Sequence, residues 1–554
     1  MLARRLLTLI LLLITLPASA GQGAIAAPDR YGAETGAAIL AQGGNAVDAA
    51  VATAFTLAVT YPEAGNLGGG GFMTLWFEGH PYFLDYRETA PALAHRDLYL
   101  DEQGEVIPDL SLVGSKAVGV PGSVMGMWEA HQRFGQLPWA QLLAPAIQLA
   151  EQGFVPGEAL YQIKQDGLSH FGERTNFARY FGSMEADKPF RQLQLAATLK
   201  RIATQGPDDF YQGTTAELLV EQMGHSGGLI SLEDLVNYRA KWRQPIQFPW
   251  QGFTLVTAPP PSSGGIALAQ LLALKAERLK DFAGLSANEA QYVHLVAEIE
   301  KRVFADRAEY LGDPDFHPVP VERLLDPQYL AKRAQEVKPN SLSPTLSVQP
   351  GLESHQTTHY SVVDAWGNAV SNTTTLNLEF GSGVVVEGAG FLLNNEMDDF
   401  SAKPGVPNAF GVVGGDANAI APGKRMLSSM SPSLLVKDKT VELVIGTPGG
   451  STIFTSVFQV ISNLYDLGMT PEQAVALPRF HHQLWPANEI RQEPYGSLAP
   501  EDQKQLERMG YKLVVQDWDL GDVQVLQRQE NGWQGAADPR GRGTVILVET
   551  EFNE

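Results

Sequence analysis

A β-hairpin at residues 356–377 is the feature that most constrains this chain. Residues 360–363 and 369–376 are rich in β-branched and aromatic side chains, and the turn between them contains Trp-Gly-Asn. The preceding stretch, residues 338–355, is rich in Pro and Ser and has no hydrophobic period. Because such a stretch cannot bury enough apolar surface to offset its ordering entropy, we expect it to lie exposed. An exposed segment therefore leads directly into a rigid strand.

Two threonines, Thr357 and Thr358, stand at this junction, and one chemistry suits their position. A Thr hydroxyl held against the carbonyl before it can convert that amide into an ester, which water then cleaves. The new chain begins with Thr, whose α-amine has an ordinary pKa of about 7.7 to 8.0 and can act as base for the hydroxyl. The residues alone do not distinguish Thr357 from Thr358. A threonine pair at the start of a strand is also common as a structural feature.

Composition excludes several classes of function. A net charge of −22 repels nucleic acid and anionic lipid, so we expect neither as a partner. The absence of cysteine excludes a Cys nucleophile, thiolate zinc sites, disulfides and a lipoprotein anchor. The length of 554 residues, 44% of them hydrophobic, is enough for one very large domain or two closely packed ones.

The first twenty residues have the pattern of a signal peptide. Arg4 and Arg5 precede an apolar run at residues 6–16, and Ala18-Ser19-Ala20 has the small-x-small pattern of a cleavage site. The run is too short to span a bilayer, and no later stretch reaches about 18 apolar residues. We therefore expect an exported protein, periplasmic or secreted, whose mature form has no membrane anchor.

Three charged residues are candidates for binding a zwitterion. Arg87 ends a predicted strand beside the glycine run 68–71, where a guanidinium can hold a carboxylate with two parallel hydrogen bonds. Glu396 and Asp399 are suited to hold an ammonium group. Ordinary ion pairs or a solvated surface are the structural alternatives. A calcium loop fits poorly, because its sixth position would be Asp399 instead of Gly and its twelfth Gly405 instead of Glu.

A pair of glycines precedes a predicted amphipathic helix at residues 452–467. Gly449 and Gly450 present backbone N–H groups where a helix begins, which is what the developing negative oxygen of an acyl-transfer transition state requires. Ser451 also starts the helix as a cap, and the two roles are compatible.

Several of these motifs together resemble the γ-glutamyltranspeptidases, or glutathione hydrolases, over most of the chain from about Tyr31 onwards. The specific ones are T-T-H-Y-S-V-V-D, G-N-A-V and T-x-T-L-N within residues 357–377, D-Y-R-E-T-A-P at 85–91, N-N-E-M-D-D at 394–399, L-S-S at 427–429 and T-P-G-G-S at 447–451. The resemblance implies an N-terminal nucleophile hydrolase with an αββα sandwich, formed jointly by two subunits that arise when the chain cuts itself before Thr357.

The resemblance also implies the boundaries and the site. Residues 1–20 are the signal peptide, 21–356 the large subunit and 357–554 the small subunit, and the two subunits form a heterodimer. The enzyme transfers the γ-glutamyl group of glutathione to water or to amino-acid or peptide acceptors, without a metal or organic cofactor. The implied catalytic residues are Thr357, Thr375, Gly449 and Gly450, and the implied substrate-binding residues are Arg87, Asn377, Glu396, Asp399, Ser428 and Ser429.

Two rival functions stay open. A self-cleaving β-lactam acylase of similar architecture acts on glutaryl-type side chains without an α-amine, and the acidic pair Glu396 and Asp399 argues against it. A secreted binding protein that has lost self-cleavage would need a damaged nucleophile, whereas Thr357 and the glycine pair are intact.

The chain departs from the family pattern at Phe410, in the long Gly- and Pro-rich loop 401–418 that resembles the lid of bacterial members. Those members often have Tyr at this position, and Met426 stands where Pro is usual. Phe lacks a hydroxyl that could bond across the cleft, so we expect a looser gate.

Phe410→Tyr restores that hydroxyl and should change the ratio of hydrolysis to transfer, which is measured by quantifying free glutamate and γ-glutamyl-acceptor products from one donor. Identical product ratios would contradict a gating role for position 410.

Overall fold

The computed structural model describes residues 21–344, 356–401, 403 and 415–550. The predicted signal peptide, most of the exposed segment before the hairpin and Phe410 lie outside these residues. The strands are β1 (Gly21–Ala27), β2 (Gly70–Phe77), β3 (His80–Asp85), β4 (Lys241–Arg243), β5 (Ile246–Trp250), β6 (Phe253–Thr257), β7 (Gln356–Val363), β8 (Ala369–Asn377), β9 (Ser433–Lys437), β10 (Thr440–Gly446), β11 (Phe480–His481), β12 (Glu489–Gln492), β13 (Lys512–Val515), β14 (Gln524–Gln529), β15 (Gly532–Ala537) and β16 (Thr544–Thr550).

The α-helices lie between these strands in chain order. They are α1 (Arg30–Ala41), α2 (Ala46–Thr60), α3 (Ser123–Phe134), α4 (Trp139–Gln152), α5 (Glu158–Phe171), α6 (Phe177–Phe181), α7 (Leu193–Gln205), α8 (Pro207–Tyr211), α9 (Thr214–Ser226), α10 (Leu232–Asn237), α11 (Gly264–Glu277), α12 (Leu279–Phe282), α13 (Ala290–Tyr310), α14 (Val321–Leu324), α15 (Pro327–Gln335), α16 (Ile453–Tyr465), α17 (Pro471–Ala476) and α18 (Pro500–Met509). None of those described has the length and apolar character that crossing a membrane requires.

Two large sheets form the centre of the molecule. The first has the strand order β16-β1-β7-β8-β2-β3-β4 and the second β15-β14-β10-β9-β6-β5. One hydrophobic cluster joins the first sheet to helices α1 to α9, and another joins the second sheet to α11, α13 and α16. A smaller cluster lies between the two sheets. The layers are therefore helix, sheet, sheet and helix, which confirms the expected αββα sandwich.

The predicted hairpin is confirmed as β7 and β8, at the centre of the first sheet. Side chains alternate along β7, as the two-residue period of a strand requires. Tyr360 faces the helices, where its hydroxyl donates to the Ala50 carbonyl of α2 at 3.0 Å. Ser361 faces the second sheet and donates to the Gln524 carbonyl at 3.1 Å. The turn is fixed by the Asp364 carboxylate, which accepts from the backbone N–H of Ala46, at the start of α2, at 3.0 Å.

The glycine run that ends in β2 allows a close approach between backbones. A Cβ on Gly71 would come within 2.3 Å of the Thr373 carbonyl oxygen in β8, and one on Gly70 within 2.6 Å of the Glu88 carboxylate. Because any side chain here would push β2 away from β8, the glycines keep the strands that carry the site in register.

The contact between the sheets is equally close at Gly446 in β10, where a Cβ would come within 2.3 Å of the His359 ring of β7. Gly446→Ala should therefore overpack this contact and lower the free energy of unfolding by about 1 to 3 kcal/mol. Thermal unfolding measures the change. The matched control is Gly224→Ala in α9, where a Cβ meets nothing within 4 Å and the gain in helix propensity should raise stability slightly. Equal unfolding midpoints for the two variants would contradict this packing.

Candidate active site

Thr357 lies at the start of β7 and is buried, with 6% of its surface exposed. The pairing of β7 with β8 is irregular between Gln356 and Thr358, just where Thr357 stands. Thr358 is also buried, and its hydroxyl has no hydrogen-bond partner among the described residues. Only Thr357 of the pair is among the residues that line the cavity beside it. The geometry thus separates two threonines that the residue chemistry could not.

The cavity beside Thr357 is open to solvent, and about 240 Å³ of space lies within it and its opening. It gathers nine of the ten residues that the resemblance implied, and the tenth, Gly449, lines a neighbouring cleft that also contains Thr357. The lining is Arg87, Thr357, Thr375, Asn377, Glu396, Asp399, Ser428, Ser429, Met430, Gly450 and Ile453. Residues from strand β7, strand β8 and four separate loops therefore converge on one small polar cavity.

The end of β8 supplies Thr375 and Asn377. The Thr375 hydroxyl accepts from the backbone N–H of Asn377 at 2.7 Å, and the Asn377 side chain donates to the Asn395 carbonyl at 3.0 Å. Asn377 has a φ of 76°, a left-handed conformation that Asn tolerates better than most residues. This bend ends the strand and links it to the short 3₁₀ helix Glu396–Asp399.

Arg87 lies directly after β3 and is fully buried. Its guanidinium donates to the carboxylates of both Glu396 and Asp399. It also faces the Glu88 carboxylate at 3.6 Å and the Leu427 carbonyl at 3.3 Å. The three candidates for binding a zwitterion are thus in direct contact, with three carboxyl groups around one guanidinium.

The acidic groups around Arg87 have shifted pKa values. Burial raises the pKa of Glu88 to about 7, although Arg87 opposes the shift. Burial likewise raises the pKa of Glu396 and of Asp399, again against the attraction of Arg87. Because burial favours the neutral form of these carboxyl groups, an added ammonium group would favour their ionised form and be bound by it.

Ser428 and Ser429 are held in place by Ser263, which immediately precedes α11. The backbone N–H of Ser263 donates to the Ser428 carbonyl at 2.7 Å, and the hydroxyls of Ser263 and Ser429 are 3.3 Å apart. Arg307 donates to the Ser263 hydroxyl at 3.0 Å, and burial lowers the pKa of Arg307 to about 9. The sequence assigns no role to Ser263 or Arg307, because only the fold brings them to the site.

The glycine pair lies where β10 leads into α16. Gly449 and Gly450 have φ values of 130° and 55°, conformations that L-residues rarely adopt. The Gly449 carbonyl accepts from the Thr452 backbone N–H at 3.0 Å and from the Thr452 hydroxyl at 2.8 Å. The carbonyl thus points into the turn, and its two hydrogen bonds fix the loop beside Thr357.

Comparison with known proteins decides the family. The family model described as gamma-glutamyltranspeptidase matches residues 32–548. The chain belongs to the γ-glutamyltranspeptidase family. It is 62% identical, over 95% of its length and 94% of the relative's, to a glutathione hydrolase proenzyme of Pseudomonas aeruginosa. It is therefore an enzyme with an N-terminal nucleophile hydrolase fold.

Two solved structures are similar to this member of the family. A gamma-glutamyltranspeptidase of Pseudomonas nitroreducens complexed with L-DON is 63% identical, with a TM-score of 0.58, over 58% of this chain and 97% of that one. A cephalosporin acylase of Bacillus halodurans is 29% identical, with a TM-score of 0.83, over 95% of this chain and 96% of that one. The fold is thus shared with acylases, so the choice of substrate depends on the cavity.

Replacement of Arg87 tests the charge cluster of this γ-glutamyltranspeptidase. Arg87→Ala removes charge-assisted hydrogen bonds and should raise KM for γ-glutamyl donors by an amount equivalent to roughly 1.5 to 3 kcal/mol. It also leaves buried carboxylates uncompensated, so its unfolding midpoint should fall. Steady-state kinetics and thermal unfolding measure the two effects.

Arg87→Lys is the matched variant, because it keeps the charge and loses the planar fork. Its KM should lie between those of the wild type and Arg87→Ala. An unchanged KM in both variants would remove Arg87 from substrate binding.

Proposed function

We propose that this chain acts as a γ-glutamyltransferase and glutathione hydrolase whose nucleophile is Thr357, freed when the chain cuts itself between Gln356 and Thr357. The observation that carries the proposal is the single cavity that brings Thr357 together with Arg87, Glu396, Asp399 and Gly450. The products are a large subunit, residues 21–356, and a small subunit, residues 357–554. They remain associated as a heterodimer, because β7 is paired on one side with β1 of the large subunit and β8 with its β2.

Self-cleavage begins with attack by the Thr357 hydroxyl on the carbonyl of Gln356. The peptide C–N bond breaks as the ester forms, the nitrogen gains a proton, and water then hydrolyses the ester. Thr357 stands at an irregular point of the β7–β8 ladder, between Gln356, which pairs with Asn377, and Thr358, which pairs with Thr374. The released α-amine stays beside its own hydroxyl.

The γ-glutamyl group binds in the cavity through its two charges. Glu396 and Asp399 take the ammonium, with the Asn377 side chain beside them, and Arg87 takes the carboxylate together with the hydroxyls of Ser428 and Ser429. Before substrate binds, Arg87 is paired with the two acidic residues. A zwitterion inserted between them gives Arg87 a carboxylate and gives the acidic pair an ammonium, so the net charge of the buried site stays the same.

Acyl transfer follows from this position. The Thr357 Oγ bonds to the γ-carbonyl carbon while its proton passes to the α-amine, and the proton then leaves with the departing amine as the C–N bond breaks. The backbone N–H groups of Gly449 and Gly450 stabilise the oxyanion, and Thr375 orients the Thr357 hydroxyl. Water or an acceptor amine attacks the resulting ester and regenerates the free threonine. The residues of the chain supply every group that these steps use.

An acylase for glutaryl-type side chains is the second candidate, because a cephalosporin acylase shares the fold. Glu396 and Asp399 argue against it, since a glutaryl group has no ammonium to pair with these two buried acidic residues. A comparison of hydrolysis rates for γ-glutamyl and glutaryl anilides separates the two functions.

The signal-peptide pattern supports export of the protein to the periplasm or the medium.

Thr357→Ala tests the nucleophile. Without the hydroxyl neither self-cleavage nor acyl transfer can start, so a denaturing gel should show one chain of 60.1 kDa less the signal peptide, with no release of p-nitroaniline from γ-glutamyl-p-nitroanilide.

Thr358→Ala is the control, because it should still give two chains and activity. Two subunits from Thr357→Ala, or an uncut chain from Thr358→Ala alone, would overturn the assignment.

A further inference from the structure

The glycine pair beside Thr357 needs a restraint from outside. Gly449 and Gly450 have no side chains and lie at φ values of 130° and 55°, so their own conformational preferences do not fix them. Backbone donors stabilise an oxyanion best when they already point to its position before the reaction. Thr452 holds the Gly449 carbonyl on one side. On the other side the restraint comes through Ser451, which directly follows Gly450.

Ser451 is fully buried, and its hydroxyl donates to the side-chain Oε1 atom of Gln483 at 3.0 Å. The same oxygen lies 3.0 Å from the Nε2 atom of His481. Since an amide oxygen can only accept, the His481 Nε2 atom carries a proton and donates it to this bond. The other ring nitrogen of His481 is 3.0 Å from the Thr455 hydroxyl of α16. Ser451 is therefore tied to an acceptor that is itself held by a fixed imidazole.

Buried groups from two helices anchor the backbone that carries Gln483. Glu300 of α13 accepts from the backbone N–H of His482 at 2.9 Å. Gln459 of α16 donates to the Phe480 carbonyl at 2.8 Å. Both side chains are buried. The Oε1 atom of Gln483 is thus a rigid acceptor and can fix the position of the residue that donates to it.

The rest of the Gln483 side chain shows where its contribution lies. Only 2% of the residue is exposed, and its amide nitrogen has no hydrogen-bond partner among the described residues. Because an unpaired buried N–H group costs stability, the amide contributes through its oxygen alone. Gln483 is not among the described residues that line the cavity, so it acts through Ser451 and not by touching the substrate.

We propose that Gln483 is a positioning residue for acyl transfer: through Ser451 it holds Gly449 and Gly450 in the conformation that presents their backbone N–H groups to the oxyanion. The inference rests on the proposed function, because it supplies the support for the oxyanion donors of the same reaction.

Gln483→Met tests the role, because Met has nearly the same shape without the amide oxygen. Formation and breakdown of the Thr357 ester both pass through an oxyanion, so looser donors slow both steps. With γ-glutamyl-p-nitroanilide, kcat should fall roughly tenfold while KM stays within about twofold of the wild type. The unfolding midpoint should change little, since Met also removes the unpaired N–H group. Expressing kcat per small subunit on a denaturing gel makes it independent of incomplete self-cleavage.

Two further variants show whether the effect passes through the Ser451 bond. Ser451→Ala removes the donor and should lower kcat to the same extent, and the double variant should lose no more than either single one. Gln483→Glu keeps an acceptor oxygen at the same place and should restore kcat to within about threefold of the wild type. The matched control is Gln222→Met at a buried glutamine of α9, which should leave kcat and KM unchanged.

The inference is overturned by wild-type kcat in both Gln483→Met and Ser451→Ala, by additive losses in the double variant, or by a loss that Gln483→Glu does not restore. If Gln483→Met yields no small subunit, Ser451→Ala decides: a tenfold fall in kcat at unchanged KM supports the role, and an unchanged kcat refutes it. Failure of the wild type itself to release p-nitroaniline would refute the proposed function, whereas an active wild type matched by its variants refutes only the role of Gln483.

Discussion

The pairing of β7 with β8 at the centre of the first sheet is the constraint on which the site depends. It brings Thr357 and Thr375 to one cavity, and it orients one face of the hairpin towards α2 and the other towards the second sheet. Contact with the second sheet is so close at Gly446 that a methyl group cannot be added there without displacing the His359 ring. The nucleophile is therefore positioned by two packed layers instead of by a flexible loop.

The charge of the site follows from burial. Arg87 can stay inside the protein because Glu396 and Asp399 neutralise it, and these carboxylates in turn need the guanidinium. A third carboxyl, Glu88, leaves the cluster with an excess of acidic groups. Such a cluster contributes little to stability by itself, but it offers both charges that an α-amino acid group requires. Binding and the unusual titration of these residues thus have one physical origin.

Much of the fold and of the site was predictable from the sequence, because the residue patterns that indicate them are local. The hairpin, the helix α16 and the glycine pair follow from residue patterns, and the family resemblance supplied the αββα fold and the nine residues that the structure brings near Thr357. The contribution of Ser263 and Arg307 could not be predicted, since it depends on contacts between distant segments. The choice between Thr357 and Thr358 needed either the resemblance or the geometry of the strand. The neighbouring cleft that also contains Thr357 has no sequence signature, because its lining comes from seven separate parts of the chain.

The central claim is that a peptide bond inside the folded chain breaks to give Thr357 a free amine. Intact-mass analysis of purified, active protein, combined with N-terminal sequencing of the smaller component, tests it most directly. The account predicts two chains, the smaller beginning Thr-Thr-His-Tyr at Thr357. Active protein that consists of one uncut chain, or a smaller chain that begins at any other residue, would contradict it.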